Sequence, residues 1–331
     1  MHSVINNWVS QQPPSPVLLG FIASGVHGLW LPVVGSENWR PWILHSSPAS
    51  HYVRSLVVEI VLLPLLLVVC CDRVLAQCNP ENVPDLLKRA TTAILADWNA
   101  FPGFAFVERD SEIKQHDTKV TTDRVFMIEG SDYYVRIATN DEPLTDQQQA
   151  EEHEKLLREV YRRSHETESQ RRHRSDRYWK ERNQTATLLQ EYLKAFDFTF
   201  VGEEMLNGYS ACVLDARPRL DYRPPNREAK ILTGMQGRLW IENHSFHWLK
   251  AEAEVLKPVS ILGVAVRVLP GTHMELLMAP VSPSLWLVSS FTVSVKASIV
   301  WMSTERSEVT SWGEYRPAAA ALKDELARQF P

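Results

Sequence analysis

The chain has no CxxC pair and no cysteine–histidine set with zinc-finger spacing, so a structural zinc is not expected. Its four cysteines are too few for a disulfide scaffold. Cys70 and Cys71 lie inside an apolar run, which leaves Cys78 and Cys212 as candidates for one disulfide in an oxidising compartment. A basic excess is also missing: 35 Lys and Arg against 40 Asp and Glu give a net charge of −5, and nucleic acid is not expected as a partner. Glycine patterns that cradle phosphates or dinucleotides do not occur. A nucleophile elbow is missing as well, because Gly208-Tyr209-Ser210-Ala211-Cys212 lacks the second glycine and sits on a hairpin strand.

Long hydrophobic runs are nearly absent. The one candidate, Ile60 to Cys71, contains Pro64 and is shorter than the roughly 20 apolar residues that cross a bilayer. With Arg54 before it and Val74-Leu75-Ala76 after it, residues 53–76 read as a signal peptide cleaved between Ala76 and Gln77. The expected destination is across the inner membrane, in the periplasm, with a membrane anchor as the alternative if the signal stays uncleaved. Residues 1–52 hold four tryptophans but only Glu37 and Arg40 as charged residues, and they read as an upstream overrun or a disordered stretch.

Other chemical motifs fail on their own terms. His165-Glu166 opens like a zinc-protease helix, but Ser169 stands where the second ligand belongs. His244 and His247 straddle a turn without a third convergent ligand. Glu252 and Glu254 share a strand face, yet they alternate with alanines and read as the charged outside of a sheet. No catalytic residue, metal or cofactor is expected, and the chain reads as non-enzymatic.

What remains is a globular composition, 44% apolar and 23% charged. Apolar spacing from Leu86 to Trp98 predicts an amphipathic helix, and three β-rich pieces follow between Phe104 and Ile137. Residues 143–182 are dense in both charge signs and read as a charged helical insertion, a solvated helix. Leu188, Leu189, Tyr192, Leu193 and Phe196 restore a helical stripe. Asn207-Gly208 between β-prone runs predicts a hairpin with a type I′ turn. Strands are then expected at 237–242, 246–257, about 259–269, 272–280, 285–296 and 298–304, with a closing helix in "RPAAAALKDELARQF".

So many strands at short spacing give an α+β fold, one large curved antiparallel sheet covered by amphipathic helices. An apolar concave face under such a cover makes a cavity for a greasy ligand. In "GRLWIENHSFHWLKAEAEV" a loop at Asn243 to Ser245 would set Leu239 opposite Leu249, Ile241 opposite His247 and Trp240 opposite Trp248. Leu239, Ile241, Leu249, Ala251, Ala253 and Val255, with Phe198 and Phe200, are then the candidate lining.

Three stretches, "FVGEEMLNGYSACVLDARP", "GRLWIENHSFHWLKAEAEV" and "SEVTSWGEYRP", resemble the strands of LolA-type lipoprotein carriers and outer-membrane lipoprotein-sorting proteins. The resemblance spans Phe198 to Pro317, with weaker agreement from Asn82 to Leu144. It makes residues 77–331 one LolA-like domain, a half-barrel sheet over helices. It implies a cavity for lipid or lipoprotein acyl chains, transient membrane contact and no enzymatic activity. It supplies no counterpart here for the arginine that gates release in such carriers. The same fold also implies an alternative, an envelope-stress sensor with a protein partner; a secreted hydrolase is third.

Overall fold

The computed structural model describes residues 78, 82–114, 117–226, 229–260, 266–299 and 302–330. The expected signal segment, its cleavage point at Ala76 and Gln77, and residues 1–52 lie outside them.

Helix α1 (Val83–Ala100) starts with Pro84 and Asp85 in its first turn and buries Leu86, Ala90, Ile94 and Asp97 along one face. Strands β1 (Phe104–Lys114), β2 (Asp117–Ile128) and β3 (Ser131–Thr139) follow as an antiparallel set, the three expected. Glu129 and Gly130 turn β2 into β3 with φ of 46° and 87°, the left-handed pair of a tight hairpin. A two-residue β4 (Glu142–Pro143) pairs with the end of β3.

The charged region forms two helices where one was expected, α2 (Asp146–Ser164) and α3 (Glu168–Ala195). Each starts with a reciprocal capping box, Thr145 with Gln148 and Thr167 with Gln170, which satisfies the first backbone donors and fixes the break between them. Helix α3 runs on through the Leu188 stripe without interruption. Nor is the region wholly solvated: Leu156 is fully buried against Phe126, Ile128 and Val135.

Strands β5 (Phe196–Leu206) and β6 (Tyr209–Pro218) form the expected hairpin, with φ of 52° at Asn207 and 86° at Gly208. A 3₁₀ segment (Ala229–Gly234) leads into β7 (Met235–Glu242) and β8 (Trp248–Val255). Short strands β9 (Val259–Ser260) and β10 (Val266–Val268) precede β11 (His273–Ser282), β12 (Leu285–Ile299) and β13 (Met302–Pro317). Helix α4 (Ala318–Leu326) closes the chain. The strand expected at 298–304 does not exist as a unit: Ile299 ends β12 and pairs with Met302, which starts β13, and β13 continues to Pro317.

All strands belong to one open antiparallel sheet in the order β4-β3-β2-β1-β13-β12-β11-β8-β7-β6-β5, with β10 and β9 hung on β12. The register of β7 and β8 differs from expectation by two residues up to Trp240 and by one beyond it. Leu239 faces Ala251, Trp240 faces Lys250, and after a bulge Ile241 faces Trp248. The cause is the loop. The Glu242 carboxylate accepts from the backbone N–H of His244 (2.9 Å) and Ser245 (2.5 Å), and Phe246 takes a positive φ of 63°, so the turn is longer than three residues. A shift of two keeps every side chain on its face but changes its partner. The expected Trp240–Trp248 pair is replaced by Lys250 Nζ over the Trp240 ring at 5.1 Å.

Candidate functional site

Residues paired across adjacent strands share a face, so the register traces what lies beneath the helices. One row runs Leu239, Ala251, Leu276, Phe291; the next runs Gly237, Ala253, Met274, Val293. Beyond β12 the same face changes character. Phe291 is followed by Thr310 and Asp110, and Val293 by Glu308 and Glu112. The covered face is therefore apolar from β5 to β12 and rich in carboxylates on β13, β1 and β2.

Over the apolar part lies a cavity of about 80 Å³. Its roof is Leu188, Leu189 and Tyr192 of α3 with Ile231 and Leu232 of the 3₁₀ segment; its floor includes Met235, Trp248, Ala251, Ala253, Met274, Leu276 and Phe291. Small residues make the space: Ala251 and Ala253 stand where a larger side chain would fill it. A second apolar cavity of about 30 Å³ continues under α1, between Ile94, Trp98 and Phe101 above and Met278, Trp286 and Trp312 below. Leu189 and Leu276 line both, so the two cavities neighbour each other along one trough.

The trough is apolar but carries unmatched polar atoms. Tyr192 Oη and Trp248 Nε1 in the first cavity, and Trp312 Nε1 in the second, are buried without a hydrogen-bond partner among the described residues. Burial pushes the Tyr192 phenol well above its usual range. Beside the second cavity the Arg182 guanidinium sits 4.2 Å from the Trp98 ring centroid and 5.1 Å from that of Phe101, and its Nη2 donates to the Trp98 carbonyl. Burial pulls the Arg182 pKa down.

Polar locks hold the cover in place. His247 Nδ1 lies 2.7 Å from Asp97 Oδ2, and the Trp286 N–H donates to Asp97 Oδ1 at 3.2 Å, so α1 is pinned to the starts of β8 and β12. At the other end, Arg163 Nη1 donates to the carbonyls of Ile128 and Ser131 and Nη2 to that of Asp132, which fastens α2 to the β2–β3 turn. A wider concavity, about 700 Å³, lies there between α2 and α3. It is open, and its Arg162, Arg163 and Arg174 are ion-paired with Glu159 and Glu166.

Of the residues singled out in the sequence, Ala251 and Ala253 line the first cavity. Val255 belongs to the core cluster beside it, and Phe198 packs on that cluster. Leu239, Ile241 and Leu249 are buried without lining the cavity, and Phe200 is half-buried. Cys78 and Cys212 are each disulfide-bonded. Glu252 is paired with Lys250 at 2.5 Å, and Glu254 is exposed. His247 is engaged by Asp97, and no hydrogen bond joins it to Ser210 among the described residues. The roof on α3 and the floor on β11 and β12 were not foreseen; the Leu188-Leu189-Tyr192 stripe was the available signal for the first.

No protein-family model matches the chain, and no curated protein does. Among solved structures it is similar to an outer membrane lipoprotein-sorting protein domain from Vibrio parahaemolyticus, at 11% identity and a TM-score of 0.31 over 73% of this chain and 98% of that one. It is also similar to a DUF1329 family protein from Desulfovibrio piger (11%, TM-score 0.30, 72% and 94%) and to a LolA superfamily protein from Nitrosomonas europaea (8%, TM-score 0.27, 70% and 92%). None of the helices among the described residues is long and apolar enough to cross a membrane.

Proposed function

We propose that the protein binds an acyl chain between the apolar part of its sheet and the cover formed by α3 and the 3₁₀ segment, as a non-enzymatic carrier in the cell envelope. The observation that carries this is a pair of neighbouring, mostly apolar cavities that share Leu189 and Leu276 in their walls. A core built for stability alone closes such space, because unfilled volume forfeits dispersion contacts. At about 80 Å³ the first cavity is well below the roughly 300–1,000 Å³ of occupied ligand sites, so on this reading the space must widen to take an acyl chain. Binding then requires Leu189 and Leu276 to change rotamer and the 3₁₀ segment to lift, and an extended chain occupies both cavities in line.

Mass spectrometry of organic extracts of the purified protein tests the reading. Stoichiometric acyl lipid in the extract supports it; a lipid-free protein that also takes up no acyl chain from mixed vesicles removes it.

A further inference from the structure

We propose that the chain held in this cavity presents a neutral carbonyl, that of an acyl ester or amide, which accepts hydrogen bonds from Trp248 Nε1 and Tyr192 Oη. This rests on the cavity being a ligand site and names what the ligand must carry. Trp248 is only 3% exposed, and its indole N–H, which can donate and never accept, has no partner among the described residues. The Tyr192 hydroxyl is in the same position, and the two rings stand 5.9 Å apart on the wall of one cavity. Buried polar groups are almost always satisfied, so two orphans on neighbouring residues that line one space point to a shared acceptor that enters it.

The rest of the lining narrows the acceptor. Neighbouring walls are mostly hydrocarbon and thioether, from Leu188, Ile231, Met235 and Met274; the one carboxylate among them, Glu252, is held by Lys250 and bonds neither orphan. No lysine, arginine or histidine lines the space, so a carboxylate would be desolvated without a countercharge. A neutral carbonyl needs only the two donors. The sheet has also made room at this point. A Cβ on Gly237 would come within 2.8 Å of Tyr192 Oη and 2.6 Å of the Glu252 carbonyl, so glycine there keeps the hydroxyl where it is.

The test uses the full chain and three matched probes, methyl dodecanoate, tridecane and sodium dodecanoate, each competing against a fluorescent fatty-chain probe at pH 8. Methyl dodecanoate is expected to bind about tenfold more tightly than tridecane, the worth of one to two net hydrogen bonds. It should also bind more tightly than dodecanoate. In Tyr192→Phe the advantage over tridecane should fall to about threefold or less, with tridecane affinity unchanged. Trp248→Phe should act in the same direction. Because that variant removes core volume, the infrared carbonyl stretch of carbon-13-labelled methyl dodecanoate in the wild type provides a second readout. A stretch lowered on binding, and less lowered in Tyr192→Phe, supports the proposal. Equal affinity for ester and tridecane, a tighter dodecanoate, or a carbonyl stretch like that in dry hydrocarbon overturns it while the acyl-chain reading stands. Failure of both ester and tridecane to bind removes that reading and this proposal together.

Discussion

Single residues set both the stability of the cover and its dependence on pH. Asp97 accepts from His247 and from the Trp286 backbone, and both partners are buried. Asp97→Ala leaves two buried groups unpaired, so urea unfolding should show a loss of about 2–4 kcal/mol. The carboxylates beyond Phe291 act in the opposite sense. Burial, with Asp110 and Glu112 nearby, pushes Glu308 up to about 7, against the partial relief of Arg306. Burial also raises Glu108, Asp110 and Asp123. A raised carboxylate holds more protons folded than unfolded, so its contribution is fully present below about pH 4.5 and is lost as pH rises through about 7. Glu308→Gln should therefore gain stability relative to wild type as pH goes from 5 to 8, by at most about 3 kcal/mol. Glu159, held at about 2 by Arg162 and Arg163, works the other way and weakens the protein only in strong acid. The difference between Glu308→Gln and wild type across pH isolates the first effect from the second. A parallel pair of stability curves would contradict it.

At the level of elements, sequence and structure agree where a pattern is local and part where it depends on partners far along the chain. The β5–β6 hairpin was legible because Asn207 and Gly208 suit positive φ regardless of surroundings. Helix α1 was legible from its apolar spacing. The break between α2 and α3 was written in two Thr-x-x-Gln boxes, but the charge density around them suggested one solvated helix. What buries that region is invisible locally: Arg163 reaches carbonyls more than 30 residues earlier in the chain. The β7–β8 register was missed because the Glu242 carboxylate, not a standard short turn, decides the loop. Arg163→Met keeps the aliphatic stem and deletes the donors, so amide exchange in the β2–β3 turn should rise sharply while α1 and β8 stay protected. Unchanged protection at Ile128 to Asp132 would show that the anchor is dispensable.

For the whole molecule, the open sheet brings an apolar half and a carboxylate-rich half onto one covered face, and the cavity of about 80 Å³ lies over the apolar half. Of the eight candidate lining residues, the two that line the space, Ala251 and Ala253, were visible as strand alternation. Its roof, and its floor on β11 and β12, came from pairings that no single stretch encodes. The most direct test of acyl-chain binding is to fill the space without disturbing anything else. Ala253→Phe places a ring between Met274 and the α3 roof. Binding of methyl dodecanoate to wild type and to this variant, at matched folded fractions by circular dichroism, should show saturable one-to-one uptake in the first and at least about a tenfold loss in the second, the cost of excluding the chain from volume it needs. Equal binding by both would place the ligand elsewhere and contradict the reading.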